Sequence, residues 1–250
     1  MANARDSRFG VITGGSSGIG RELAKVLVNE GYDVLIVADR DVERACTELG
    51  VSGITADLTT PEGVRAVVER VEAIGRIPDV LVLNAGVGVA GSFLETDVDS
   101  EVEMINLNCV AVVRLAKALV PPMVARGLGR VLITSSFVAT MPAPFEAVYG
   151  ATKAFDLSFA EGLREELRDS GVTVTALQPG PTATKFFERA GFEDTDLGQA
   201  RTNDPAQVAR QGFDAMMGGM AKIRAGSVKT RMQGLSSELL PESLKARHRH

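Results

Sequence analysis

The sequence predicts an α/β fold, a doubly wound parallel sheet flanked by helices and forming a single domain, and three observations carry that expectation. Short apolar, β-branched runs alternate along the chain with longer stretches of helical period. The apolar runs are nearly continuous, the pattern of strands covered by helices on both faces. No linker, repeat or low-complexity segment divides the 250 residues, 45% of which are hydrophobic. That length suits one large domain as readily as two small ones, and one is the simpler reading.

Taken in order, strands are expected at Phe9–Thr13, Asp33–Ala38, Gly53–Ala56, Val80–Asn84, Arg130–Thr134 and Val172–Leu177. Gly31 closes the first helix. Thr60-Pro61-Glu62 caps and opens the third, since a threonine oxygen can accept from the first free N–H groups and proline fits the first turn. Asp204-Pro205 with Gln207 repeats that signal late in the chain. Residues 182–202 mix Phe, Gly, Asp and Thr without a period and read as an insertion over a site. From Ala221 the chain reads as a weak strand and then a basic, amphipathic tail, whose ending from Lys245 to His250 carries no assigned function.

Composition excludes several classes of partner. A formal net charge of -5 argues against a general nucleic-acid or anionic-membrane surface, because either normally needs a basic face. Cys46 and Cys109 stand far apart, with neither pairing nor metal-ligand spacing, so no disulfide framework or zinc site is expected. Met1 to Arg8 is polar and lacks the apolar core of a secretory signal, and no apolar run is expected to reach the length of a membrane span. The expectation is a cytoplasmic protein acting on a small molecule.

In an open parallel sheet, ligands bind outside the carboxyl ends of the strands. After the first strand comes Thr13-Gly14-Gly15-Ser16-Ser17-Gly18-Ile19-Gly20, leading into a helix at Arg21. Four glycines exceed what an ordinary tight turn needs, and at a helix start they let a pyrophosphate approach free N–H groups and the positive end of the macrodipole. The spacing T-G-x-x-x-G-x-G resembles that of the short-chain dehydrogenase/reductase family, whose fold is of Rossmann type. At the end of the second strand Asp39 can accept from the adenosine ribose hydroxyls and repel a 2′-phosphate, whereas Arg40 could pair with that phosphate. Asp39 matches the family position associated with NAD, and no Lys or Arg stands in the loop before Gly18, so NAD is favoured over NADP. Without that context Asp39-Arg40-Asp41 reads equally well as a solvated turn capping the second helix. Asp57-Leu58 resembles the family's adenine-contacting pair, and Asn84-Ala85-Gly86 resembles its N-A-G turn beside the cofactor.

Tyr149 and Lys153 lie four residues apart, hence on one face of a helix. A phenol is a poor base at neutral pH unless a nearby cation stabilises the phenolate. Taken alone, a Y-x-x-x-K is more often an amphipathic tyrosine with a solvated lysine. Ser136, ending the fifth strand, lies thirteen residues before Tyr149, the separation of serine and tyrosine in the same family, which favours it over Ser135. Asn108 falls on a helix that is otherwise apolar from Val110 to Val120, where an amide needs a partner, with Asn106 the other candidate.

The resemblance covers about residues 9 to 190, with five motifs in order at strand ends. It implies that Tyr149 is general acid or base, that Lys153 lowers its pKa and binds the nicotinamide ribose, that Ser136 orients the substrate oxygen and that Asn108 holds a water in a proton path. It further implies that Pro179-Gly180 forms a turn by the nicotinamide, with Thr184 contacting the carboxamide and Thr182 in reserve. Phe93, Phe137, Met141, Pro142, Phe145, Phe186, Phe187 and Phe192 suggest an apolar pocket for a hydrophobic alcohol or ketone. The family's habit of assembly implies a homodimer or homotetramer, compatible with a small apolar face at Ala151, Ala154, Leu157 and Ala160. The competing expectation is a nucleotide sensor or scaffold that keeps the fold without the chemistry.

Overall fold

Leucine, isoleucine and valine side chains leave both faces of the central strands, so each strand is satisfied only between two helical layers. The computed structural model describes residues 7–184 and 202–226, and the expectations placed on the N-terminal residues 1–6, on the insertion across 185–201 with Phe186, Phe187 and Phe192, and on the tail from residue 227 lie outside the described residues. The strands are β1 (Arg8–Thr13), β2 (Tyr32–Ala38), β3 (Ser52–Thr55), β4 (Val80–Leu83), β5 (Gly129–Thr134), β6 (Val172–Pro179) and β7 (Lys222–Ala225). They form one sheet in the order β3-β2-β1-β4-β5-β6-β7, with every pairing parallel. The weak strand expected after Ala221 is thus β7, at the sheet edge beside β6. β4 stops one residue short of Asn84, and β6 runs on to Pro179.

The helices are α1 (Gly18–Asn29), α2 (Val42–Leu49), α3 (Pro61–Ile74), α4 (Val98–Ile105), α5 (Ala111–Arg126), α6 (Ala147–Glu166) and, in the described chain, α7 (Pro205–Met217). Alternation sorts the core into two layers. Val11, Leu35, Leu81, Val131 and Val174 pack with side chains of α3, α5 and α6. Ile12, Ile36, Val82, Leu132 and Leu177 pack on the other face with those of α1, α2 and α7. Each large core side chain contributes about 2–5 kcal/mol by the usual cost of truncation to alanine. The expected caps are present: the Thr60 hydroxyl accepts from Gly63 N at 3.0 Å, and Asp204 accepts from Ala206 N at 3.0 Å. Asp41 stands at the cap of α2, but its side chain makes no capping bond.

Two expectations need correction. α4 and α5 join through a π-helical turn, Asn106–Val110, into one helical run, Val98–Arg126, that is long and apolar enough by composition to cross a bilayer. Half of that apolar stretch is buried, with Leu115, Leu119 and Met123 in the core, so that part of its apolarity is spent on the fold. The second concerns α6, where Leu157 and Ala160 turn into the protein's own core while Ala151 and Phe155 are exposed. The face suggested for assembly is therefore split between two sides of the helix.

The chain runs from β1 outward to β2 and β3, then crosses back to β4 on the other side of β1. This reversal opens a crevice at the carboxyl ends of β1 and β4, the place where a doubly wound sheet accepts a ligand.

Candidate active site and cofactor cleft

Three strand ends are tied together before any ligand is considered. The buried Thr13 hydroxyl, closing β1, accepts from Asn84 N at 2.9 Å and Ala85 N at 3.0 Å. Asn84 Nδ2 donates back to the Thr13 carbonyl at 3.1 Å, and its Oδ1 accepts from the Thr134 hydroxyl at 3.2 Å. Asn84 is thus a brace between β1, β4 and β5. The glycine loop wraps over it: Gly18 holds φ 55, and a Cβ on Gly20 would stand 2.3 Å from the Gly14 carbonyl oxygen, so neither position accepts a side chain without movement.

Above this brace lies a cavity of about 630 Å³. Gly14, Ser16, Ser17, Gly18 and Ile19 line one end, Asp39, Arg40, Asp57 and Leu58 one side, and Asn84, Ala85 and Gly86 the floor. Ser136, Tyr149 and Lys153 stand at the other end, with Pro179, Gly180, Thr182 and Thr184 across from them. Gly20 and Asn108 do not line it: Gly20 packs under the loop, and Asn108 sits behind the floor.

The glycine-loop end fits an anion. Ser17, the cap residue of α1, makes no side-chain capping bond, and the first turn of α1 carries no acidic residue. By contrast α3, α4 and α7 are each capped by a side chain, and α3 and α4 carry acidic residues in the first turn. The first N–H groups of α1 and the positive end of its dipole therefore remain for a ligand, as a pyrophosphate requires. At the side of the cleft Asp39 and Arg40 are exposed and paired, Nε to Oδ2 at 2.7 Å. Asp57 accepts from Thr59 N at 2.9 Å and from the Thr59 hydroxyl at 2.7 Å, an Asx turn that presents this loop to the cleft. The Thr182 hydroxyl donates to Gly180 O at 2.7 Å, whereas Thr184 reaches the glycine loop, its Cγ2 3.2 Å from where a Cβ on Gly18 would lie. The donors and spaces suit a dinucleotide along their whole length.

At the other end, Ser136 stands beside Tyr149, where its hydroxyl favours the phenolate, and its Oγ also accepts from Val138 N at 3.4 Å. Ser135 does something else: its hydroxyl donates to Lys153 O at 2.7 Å, anchoring α6 to the end of β5. The buried Lys153 Nζ donates to Thr134 O at 3.0 Å and to Asp156 Oδ2 at 3.0 Å, and lies 3.3 Å from where a Cβ on Gly86 would stand. A lysine has three N–H donors, so these two bonds leave one for the cleft.

Asn108 is wholly buried in the π-helical turn. Its Oδ1 accepts from Val87 N at 3.0 Å, while Nδ2 donates to Val87 O at 2.9 Å and to the Thr152 hydroxyl at 3.0 Å. Both of its donors are committed, and the amide ties the floor loop to α6. Asn106 is half-buried one turn edge away. Of the apolar residues expected to line a pocket, Phe137 does so, joined by Val87 and Leu107. Phe93 and Phe145 are exposed, 65% and 57%, and Met141 and Pro142 do not reach the cavity.

A family model described as short chain dehydrogenase matches residues 9–194. The chain belongs to the short-chain dehydrogenase/reductase family. Membership makes it an NAD(P)-dependent oxidoreductase. The dehydrogenase/reductase is 32% identical over 224 residues to dehydrogenase/reductase SDR family member 7B of Mus musculus, covering 82% of this chain and 69% of that protein. Among solved structures it resembles a short-chain dehydrogenase from Sphingobium yanoikuyae in complex with NADPH, with TM-score 0.80, 30% identity and 96% of both chains covered. It also resembles a 3-ketoacyl-(acyl-carrier-protein) reductase from Brucella melitensis complexed with NADH, with TM-score 0.78, 26% identity, and 87% and 96% of the two chains covered.

The electrostatics of this dehydrogenase/reductase are less simple than a lysine lowering a tyrosine. Burial raises the Tyr149 pKa, Lys153 and the Ser136 hydrogen bond pull it down, and Glu146 and Asp156 push it up, with a net rise above the ordinary phenol value. The expectation that the lysine brings the phenol toward neutrality holds for its sign alone. Burial works against the Lys153 ammonium, but Asp156 and Tyr149 outweigh it and hold the lysine above its usual value. Asp156 itself is raised by burial and restrained by Lys153. Asp156, Thr13 and Thr134 were not among the expected site residues. Asp156 left one signal, a carboxylate one turn from Lys153 in a stretch whose neighbours, Ala154, Phe155 and Leu157, are apolar.

Proposed function

We propose that this short-chain dehydrogenase/reductase moves a hydride between a nicotinamide cofactor and a hydrophobic secondary alcohol or ketone. The observation that carries the reading is the meeting of Ser136, Tyr149 and Lys153 at one end of a cleft whose other end is the uncapped start of α1. Tyr149 gives a proton to the substrate oxygen in reduction and takes one in oxidation, and Ser136 orients that oxygen through its own hydroxyl. Lys153 steadies the phenolate and offers its remaining N–H to the nicotinamide ribose. When bound, the nicotinamide ring supplies or accepts the hydride.

Gly14, Ser16, Ser17, Gly18 and Ile19 would hold the pyrophosphate, Asp39 the adenosine ribose, Asp57 and Leu58 the adenine. Asn84, Ala85 and Gly86 would underlie the nicotinamide half, with Pro179, Gly180 and Thr184 against its carboxamide. NAD is the preferred form in this reading, because a 2′-phosphate would face the Asp39 carboxylate and could reach Arg40 only by breaking an existing pair. Phe137, Val87 and Leu107 support an apolar substrate. Two free cysteines, Cys46 and Cys109, support a reducing compartment such as the cytoplasm. Assembly into a homodimer or homotetramer is supported by exposed apolar side chains on α4 and α6, Val98, Val102 and Phe155.

The test is a screen of hydrophobic alcohols and ketones with NAD(H) and NADP(H), read at the nicotinamide absorbance band. Turnover is expected with the non-phosphorylated form, and Tyr149→Phe is expected to lower it by a factor of about 10²–10⁴. Cofactor binding with no turnover of any carbonyl or alcohol would instead make the protein a nucleotide sensor.

A further inference from the structure

Beside the Tyr149–Lys153 couple lies a carboxylate that the proposed chemistry does not use. Asp156 is 1% exposed, and its Oδ2 accepts from Lys153 Nζ at 3.0 Å. Its Oδ1 is buried with no hydrogen-bond partner among the described residues. A buried carboxylate with one oxygen unsatisfied is costly, so packing gives no reason for a charge at this position.

The charges can be counted. The titratable groups around Lys153 are Tyr149 and Asp156 on its own helix and Cys109 from the π-helical turn, while Glu146, at the start of α6, faces Tyr149. Burial and the Asp156 charge push the Cys109 thiol up to about 11, so it stays neutral. With the phenol protonated, the ammonium and the Asp156 carboxylate cancel. Loss of one proton leaves this buried trio with a net negative charge, which surroundings of low dielectric disfavour. Burial is the largest influence that holds the phenol protonated, and Glu146 acts in the same direction, ahead of Asp156.

We propose that Asp156 is a positioning residue with two effects: it fixes the Lys153 ammonium under the cleft, and it keeps Tyr149 protonated through neutral pH, so the resting site is poised to donate a proton to a carbonyl oxygen. This rests on the reading of Tyr149 as the acid–base group. A neutral side chain at position 156 reverses the count: the couple is then positive with the phenol protonated and neutral after losing one proton. The first proton therefore leaves the Tyr149–Lys153 couple at lower pH, and it leaves from Tyr149, because the ammonium keeps the Thr134 carbonyl as an acceptor and gains the phenolate.

The chain has two tyrosines and no tryptophan, which makes the phenol directly observable. In a Tyr32→Phe background, whose ring keeps the stacking of Arg8 on residue 32, alkaline ultraviolet absorbance reports the Tyr149 phenolate alone. Asp156→Asn is expected to lower the midpoint of that titration by about one pH unit or more, roughly a tenfold loss of proton affinity, while Asp156→Glu stays near the parent. The alkaline limb of kcat for carbonyl reduction should move down with it. A merely structural role would change thermal stability and leave both the midpoint and the limb in place. Asp156→Ser, smaller and also neutral, replaces Asn should the latter fail to fold. A folded neutral variant with an unchanged or higher midpoint overturns the proposal. A lowered midpoint in a protein whose Tyr149→Phe variant still turns over would overturn the catalytic reading of Tyr149 instead, and would support the charge assignment of Asp156.

Discussion

Replacing Asn108 by alanine separates a positioning role from a chemical one. The amide makes three hydrogen bonds from a fully buried position, to Val87 N, Val87 O and the Thr152 hydroxyl. Its removal strands two backbone groups of Val87, whereas Thr152 keeps its bond to Tyr149 O at 2.8 Å. An unsatisfied buried backbone group costs about 1–3 kcal/mol, and since Val87 is 36% exposed, water can reach it and the lower part of that range applies. Two groups then amount to ~2–3 kcal/mol. For a domain of this size each kcal/mol moves Tm by roughly 2–4 °C, so the expected fall is about 4–12 °C. Thermal unfolding followed by far-ultraviolet circular dichroism measures it. Below the transition, the floor loop at Val87 is looser, so cofactor affinity should fall while turnover at saturating cofactor stays within about tenfold, because the amide's role is to fix that loop. An unchanged Tm together with a hundredfold loss of kcat would refute this reasoning and place Asn108 in the proton path.

Two further substitutions divide the site. Ser136→Ala should remove most turnover with little change in Tm, whereas Ser135→Ala, which loses a buried bond to Lys153 O, should cost about 1 kcal/mol of stability and leave more activity; steady-state kinetics beside thermal melts would expose the reverse assignment. Asp39→Ser releases Arg40 and removes the negative charge at the side of the cleft. NAD binding should weaken about 10- to 100-fold, the loss of hydrogen bonds to a charged group, and NADP binding should tighten, both read by cofactor titration.

The fold was legible because its signals are local. Near-continuous apolar runs such as Val80–Leu83 mark a doubly covered strand, and Thr60-Pro61 and Asp204-Pro205 mark helix starts by their own chemistry. The glycine loop and the Tyr149–Lys153 spacing were legible for the same reason. What escaped depends on contacts between distant segments. The commitment of the Asn108 amide follows from Val87 and Thr152, which come from a loop and another helix. The outward side of α6 could not be chosen from small residues alone, since Ala151 and Ala160 are both small and face opposite ways. Phe93 and Phe145 are apolar yet exposed, because residue type alone does not say which side chains the backbone path turns inward.

The Lys153–Asp156 pair shows why a single motif could not give the state of the tyrosine. Asp156 bonds the Lys153 ammonium from 3.0 Å away, and the same carboxylate subtracts from the field that the phenol feels. Spacing along a helix reports only the attractive half of this arrangement. The net direction is set first by burial of the phenol, with Glu146 and Asp156 adding to it against Lys153 and Ser136, and the proton is held more tightly than on an ordinary phenol. A site so balanced favours giving a proton at neutral pH, and oxidation of an alcohol by the same residues should become faster as pH rises and the phenol is released.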